Sequence, residues 1–112
     1  MSSNDQQQRQ TRTDFAKAVN MSVKELQRWL DTEESKSVGQ SDDGGESKGH
    51  HSGRRIVEIK STKVGDLTDD DHRHMRKVVG YVHRHLAQRP EGDVADTKWR
   101  YSLMNWGHDP LK

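Results

Sequence analysis

The stretch from Thr68 to Arg89 constrains this chain more than any other part of it. Met75, Val78, Val79, Val82 and Leu86 recur with a 3.6-residue period and fall into one stripe of a helical wheel. Both ends are marked. Thr68 precedes Asp69, Asp70 and Asp71, which places a capping hydroxyl ahead of three carboxylates that the helix macrodipole favours in a first turn. Arg89 is followed by Pro90, which cannot continue a helix. The spacing predicts one helix over 68–89, about 30 Å long at 1.5 Å per residue. An apolar stripe of that length needs other elements to cover it, and nothing in the sequence supplies a sheet.

The opposite side of this helix is basic. Arg73, Lys77 and Arg84 lie away from the stripe with Gly80 among them, and Arg76 sits at the margin. No Asp or Glu occurs between His72 and Arg89. A formal net charge of +1 hides this, because residues 33–53 carry Glu33, Glu34, Asp42, Asp43 and Glu46 against Lys36 and Lys48. Exposed helix faces commonly mix signs to gain i,i+4 pairs, and this one does not. Gly80 in mid-helix costs about 1 kcal/mol against alanine and leaves room for a phosphate or another backbone to approach. His72 and His83 border the stripe on one side and His74 and His85 on the other. Their protonation below about pH 6.5 would add to the basic face and make a partner pH-dependent.

The rest of the chain reads as short helices and polar connections. Residues 1–12 hold no apolar residue after Met1 and are expected to form a disordered tail. A helical hairpin is expected over 13–32. Thr13 caps its first helix, in which Phe15 and Val19 share a face. Ser22 and Glu25 then form a capping box, with Met21 and Leu26 at hydrophobic-staple spacing. Val23, Leu26, Trp29 and Leu30 line one side of the second helix. Residues 33–53 read as a flexible Gly/Ser-rich linker, with Val38 their one apolar residue. Residues 54–60 hold Ile56, Val57 and Ile59, and the lack of a partner strand favours a helix. A C-terminal helix over 97–106 carries Trp99, Leu103 and Trp106 at i, i+4, i+7, with Gly107 at C′ and Pro110 beyond. The reading is all-α, with three to five helices and a helical core over 54–112. With 28% hydrophobic residues, the core must be small. Its expected members are Phe15, Val19, Leu26, Leu30, Ile56, Ile59, Met75, Val78, Val79, Val82, Leu86, Trp99, Leu103 and Trp106.

Several chemistries find no support. The chain has no cysteine, which removes disulfides, thiol nucleophiles and Cys-type zinc sites. The seven histidines include His72/His74 and His83/His85, but i,i+2 pairs diverge on a helix and do not converge on a metal. His50-His51 is at most an adventitious ligand pair. Asp69, Asp70 and Asp71 are consecutive and fit helix capping better than a cation site. There is no Gly-rich phosphate loop, no GxSxG and no spacing that selects a triad. No enzyme, metal or cofactor is expected. No apolar run approaches a membrane span, and the polar first residues hold no signal-peptide h-region. The expected location is cytoplasmic or nucleoid-associated, with no membrane partner.

The expected function is DNA binding, non-specific or weakly specific, through phosphate contacts from Arg73, Lys77 and Arg84, joined by Arg76, Arg54 and Arg55. Three such contacts imply a log–log salt slope of about -3. Residues 13–32 also fit a generic helix-turn-helix whose second helix would present Lys24, Gln27, Arg28 and Asp31 to a groove. The alternative is a protein-interaction module, as an adaptor or homo-oligomer without nucleic acid. A hydrophilic stress protein fits the polarity but not the Trp-bearing helix and the long apolar stripe. Tyr101 lies off the C-terminal stripe and is free to stack on a partner.

Leu67-Thr68-Asp69-Asp70-Asp71, Met75-Arg76-Lys77-Val78-Val79, Trp99-Arg100 and Leu103-Met104-x-x-Gly107-His108-Asp109-Pro110 resemble a family of small, mostly bacterial proteins, domain-of-unknown-function family 3140. The turn Val19-Asn20-Met21 followed by Glu25-Leu26-x-x-Trp29-Leu30 fits the same family. The resemblance runs over most of the chain from about Phe15, leaving out the Gly/Ser-rich linker. Some members carry a DNA-binding label, so the resemblance implies a nucleic-acid partner and no catalytic residue.

Overall fold

The Thr68–Asp71 signal produces the helix it predicts. In the computed structural model, which describes residues 3–38 and 47–112, helix α5 spans Asp69–Leu86. Its first turn is closed by a full capping box, with Thr68 Oγ1 accepting from the Asp71 N–H and the Asp71 carboxylate accepting from the Thr68 N–H. The chain is all-helical among the described residues. Helix α1 spans Ser3–Ala18, α2 Val23–Leu30, α3 Glu33–Ser37, α4 Lys48–Lys60 and α6 Lys98–Asn105, with a 3-10 turn at Val64–Asp66. Six α-helices thus replace the three to five expected.

The N-terminal expectation is corrected. Residues 3–12 are helical, and Thr13 does not cap a helix but lies inside α1, its hydroxyl bonded to the Arg9 carbonyl at 3.1 Å. The reason is tertiary. Helix α1 runs along α5, burying Thr11, Phe15 and Ala18, while Gln8 donates to Asp69 at 2.8 Å and Arg12 to His72 at 3.0 Å. A helix without apolar residues in its first half is held by polar groups of its neighbour.

The hairpin over 13–32 is corrected as well. Helix α1 packs on α5, whereas α2 packs on α4 and α6, so the two helices serve different partners. The local signals at α2 do hold: the Ser22–Glu25 capping box forms, and Met21 and Leu26 are both buried.

The expected linker over 33–53 is structured at both of its described ends. Thr32 caps α3 through the Ser35 N–H, and Ser47 caps α4 through the His50 N–H. Residues 39–46 of that linker lie outside the described residues. Helix α4 carries Gly49 and Gly53 buried against α6. A Cβ on Gly53 would stand 2.6 Å from the Asn105 carbonyl oxygen and 2.7 Å from a Leu30 methyl. These glycines are packing positions, not flexible ones.

Twelve of the expected core residues are buried, while Val79 and Leu86 are half-buried; Ala18, Met21, Val38 and Val94 complete the core. Helix α6 ends in a Schellman motif, with Gly107 at φ +82, the Gly107 N–H on the Met104 carbonyl and the His108 N–H on that of Leu103.

Candidate nucleic-acid interface

The basic face of α5 meets the N-terminal turn of α4 and one side of α6. Lys77, Tyr81 and Arg84 from α5, Lys48 and Gly49 from α4, and Ser102, Asn105 and Trp106 from α6 and its end enclose a recess of about 360 Å³. A second, shallower recess of about 260 Å³ is lined by Arg55, Asp70, Arg73, His74 and Lys77. Lys77 belongs to both, so the two form one basic track along α5.

The expected site residues separate on this map. Lys77 and Arg84 share the larger recess. Arg73 pairs with Asp70 at 3.0 Å, both side chains 72% exposed, so the face that is acid-free from His72 onward is met by an acid from the preceding turn. Arg55 pairs with Asp71 at 2.8 Å. Its hydrogen bond and that of the Thr68 N–H hold the Asp71 carboxyl below the usual range, the Thr68 bond being the larger cause. Arg55 therefore ties α4 to the start of α5. Arg54 lines a different groove, between α2 and α4, beside Asp31 and Glu58. Arg76 is exposed. The expected groove readers Lys24, Gln27, Arg28 and Asp31 are exposed on α2.

Sequence reasoning missed Lys48, which sits among glycines in what reads as a linker. The available signal was Ser47 three residues before His50, an N-cap spacing. Among the described residues, Lys48, Lys77 and Arg84 have no carboxylate within ion-pair distance.

Behind the recess lies a ladder of rings between α5 and α6. His74 stacks on Trp106, Trp106 on Tyr81 at 4.2 Å between centroids, Tyr81 on His85, and His85 on Trp99. The indole N–H of Trp99 donates to the His85 carbonyl at 2.7 Å, and the Trp99 carbonyl accepts from His85 Nε2 at 3.2 Å. Burial pushes the His74 pKa down to about 4, aided by Arg55, Lys77 and His51 nearby. Burial lowers His85 too. His72 is 2% exposed, its Nδ1 on the Thr68 carbonyl and its Nε2 facing Arg12. The expectation that these histidines charge near pH 6.5 and reinforce the basic face is therefore corrected for His74 and His85, which are half-buried and shifted downward. His83 is exposed. Tyr101 packs against Trp29 at 5.4 Å and is not a free stacking platform.

The C-terminal motif is structural. Arg100 grips Asp109 with Nε and Nη2 at 3.2 and 3.1 Å and donates to the Ala95 carbonyl through Nη1. Burial raises the Asp109 pKa, but Arg100 outweighs it and the net shift is downward. Asn20 exchanges two hydrogen bonds with the Asp109 backbone, and His108 Nδ1 reaches the Ala18 carbonyl at 2.7 Å. Together they fasten the chain end to the α1–α2 turn.

Among the described residues, no group of three His, Asp or Glu side chains is placed to hold a metal ion, and no helix is long and apolar enough to cross a membrane. Residues 14–104 match the family model described as protein of unknown function (DUF3140). No curated protein and no solved structure matches.

Proposed function

We propose that this chain, which belongs to the DUF3140 family, binds nucleic acid through phosphate contacts along the α5 track, non-specifically or with weak specificity. The observation that carries this reading is the convergence of Lys48, Lys77 and Arg84 on one recess without a neutralising carboxylate among the described residues. Cations gathered without acids are costly to leave unpaired and favour an anionic partner. Arg73 extends the same track for a polyanion longer than the recess, and Arg76 is exposed at its margin. A protein-docking role draws less support, because the exposed large hydrophobic side chains among the described residues are Val64 and Leu111 alone, too few for the apolar centre of a stable interface.

The test is an anisotropy titration of labelled single-stranded and duplex DNA at several salt concentrations. Three phosphate contacts give a log–log slope of about -3. Lys77→Glu combined with Arg84→Glu should weaken binding at least about tenfold and flatten the slope. No binding at about 50 mM salt, where such contacts are strong, would overturn the reading, as would binding that the double variant leaves unchanged.

A further inference from the structure

We infer that the recess between α4, α5 and α6 is a seat for a terminal phosphate, a phosphomonoester carried by a 5′-phosphorylated nucleic-acid end or by a free mononucleotide. Its nucleic-acid source rests on the function proposed above; the phosphate chemistry does not. Three observations converge on it.

The first is a donor without an acceptor, on a side chain that is otherwise buried. The indole N–H groups of Trp29 and Trp99 are bonded, to Asn105 Oδ1 and to the His85 carbonyl, both at 2.7 Å. Trp106 is only 6% exposed, and among the described residues its indole N–H has no acceptor. No buried side-chain polar atom among the described residues lacks a partner, so this N–H is reached from outside, and Trp106 lines the recess. Gly49 keeps it open: a Cβ there would lie 3.2 Å from Trp106 Nε1. The second is charge. Lys48, Lys77 and Arg84 line the same recess as Trp106, and the Tyr81 hydroxyl sits by Ser102 and Arg84. Such a set suits a group of roughly -1.5 to -2 charge with three acceptor oxygens better than a backbone phosphodiester with one charge. The third is size. About 360 Å³ is at the low end of small-ligand pockets. A phosphate at a chain end or on a mononucleotide can enter such a recess more deeply than one within a duplex backbone, which touches the cations at its rim. Ring stacking is not part of the seat, since Tyr81 already has His85 and Trp106 on its two sides.

The experiment uses the full chain, nitrogen-15 labelled, near neutral pH and low salt. The Trp106 indole resonance is identified by its loss in Trp106→Phe. Four probes are titrated: a short single-stranded oligonucleotide with a 5′-phosphate, the same oligonucleotide with a 5′-hydroxyl, adenosine monophosphate and inorganic phosphate. The expected result is a saturable shift of the Trp106 resonance with the phosphorylated oligonucleotide and with adenosine monophosphate. The Trp29 and Trp99 resonances should stay in place, and the 5′-phosphate should tighten oligonucleotide binding about tenfold or more. Lys77→Gln with Arg84→Gln, both surface changes, should abolish that preference, and Gly49→Ala should weaken it by covering the N–H. Equal binding of the two oligonucleotides with an unmoved Trp106 resonance overturns the seat while leaving the proposed function standing. Saturation by adenosine monophosphate with no oligonucleotide binding upholds the seat and removes its nucleic-acid source.

Discussion

His74 lies against Trp106 with ring planes 11° apart and centroids 6.3 Å apart, at one end of the ring ladder that joins α5 to α6. Its Nε2 is 3.0 Å from Ser52 Oγ on α4, so this one histidine touches both α4 and the end of α6. A ring in that position must stay neutral. Burial, then the charges of Arg55, Lys77 and His51, bring its pKa down to about 4.

A pH dependence follows, with a definite sign. The unfolded chain takes up a proton at this histidine near pH 6.5, and the folded chain does so only near 4. Stability is therefore full above about pH 6.5, falls as pH drops through the interval to about 4, and levels below it. His85 is shifted in the same direction. The lowered carboxyls of Asp71 and Asp109 contribute stability that is lost only below about pH 4, so the two effects occupy different windows. Urea unfolding at pH 7 and pH 5 should show the drop, and His74→Gln should reduce it. An unchanged midpoint between these pH values would contradict the buried neutral ring.

Arg73 and Lys77 should differ in their effect on nucleic-acid affinity although they are neighbours on one face. Arg73 is paired with Asp70 and must give up or share that contact, a loss of about 0.2–1 kcal/mol for an exposed pair. Lys77 has no such partner among the described residues and lines both recesses. Lys77→Gln is expected to weaken DNA binding more than Arg73→Gln, and Asp70→Asn to strengthen it slightly. A ranking with Arg73 ahead would move the interface toward the N-terminal end of α5.

Asn105 is the polar centre of the α3–α6 contact. It is 1% exposed. Its Oδ1 accepts from Trp29 Nε1 at 2.7 Å and from Ser35 Oγ at 2.5 Å, and its Nδ2 donates to the Ser35 carbonyl at 3.0 Å. Asn105→Leu leaves the half-buried Trp29 N–H and the buried Ser35 hydroxyl and carbonyl unmatched, at about 1–3 kcal/mol for each buried group. The expected loss is about 3 kcal/mol in urea unfolding, with faster amide exchange across Glu33–Ser37 as α3 loosens. Retained protection there would mean that α3 is held by other contacts.

Two glycines should respond differently to alanine. Gly53→Ala drives a Cβ to 2.6 Å from a backbone carbonyl, a contact that cannot yield cheaply, and overpacking of this kind costs about 1–3 kcal/mol. Gly65, in the 3-10 turn, has nothing within 4 Å of its would-be Cβ, so Gly65→Ala should be close to neutral. Thermal melts of the pair decide it, and equal effects would refute the close α4–α6 packing.

This contrast explains what was legible in the sequence. Helices α2 and α5 announce themselves because their caps are local: Ser22 with Glu25 and Thr68 with Asp71 are three residues apart. Helix α1 is invisible because its first half is held by Asp69 and His72, sixty residues away. The start of α4 is hidden because Gly49 and Gly53 look like flexibility and are in fact close approaches to Trp106, Asn105 and Leu30. Lys48 was concealed with them. The basic face was readable from the wheel alone. Its division was not, because whether an arginine is spent on an ion pair depends on Asp70 and Asp71 folding back beside Arg73 and Arg55.

Gly80 ties the stability of α5 to the recess that Arg84 lines. The wheel suggests an open site for an approaching phosphate, but the space above this glycine is held by Arg84, whose Nη1 lies 3.0 Å from the position of a would-be Cβ. Gly80→Ala gains about 1 kcal/mol of helix propensity. The contact it creates is with the far end of a flexible side chain, so the fold should keep most of that gain. Arg84, however, must shift by a few tenths of an ångström or swing away from the recess it lines. The variant is expected to melt at a higher temperature and to bind phosphorylated single strands more weakly than the parent, with the ordering by salt unchanged. A stabilised variant with undiminished affinity would show that Arg84 does not need its place over Gly80 to meet phosphate. A destabilised one would show that α5 is too crowded at this position to accept a methyl group.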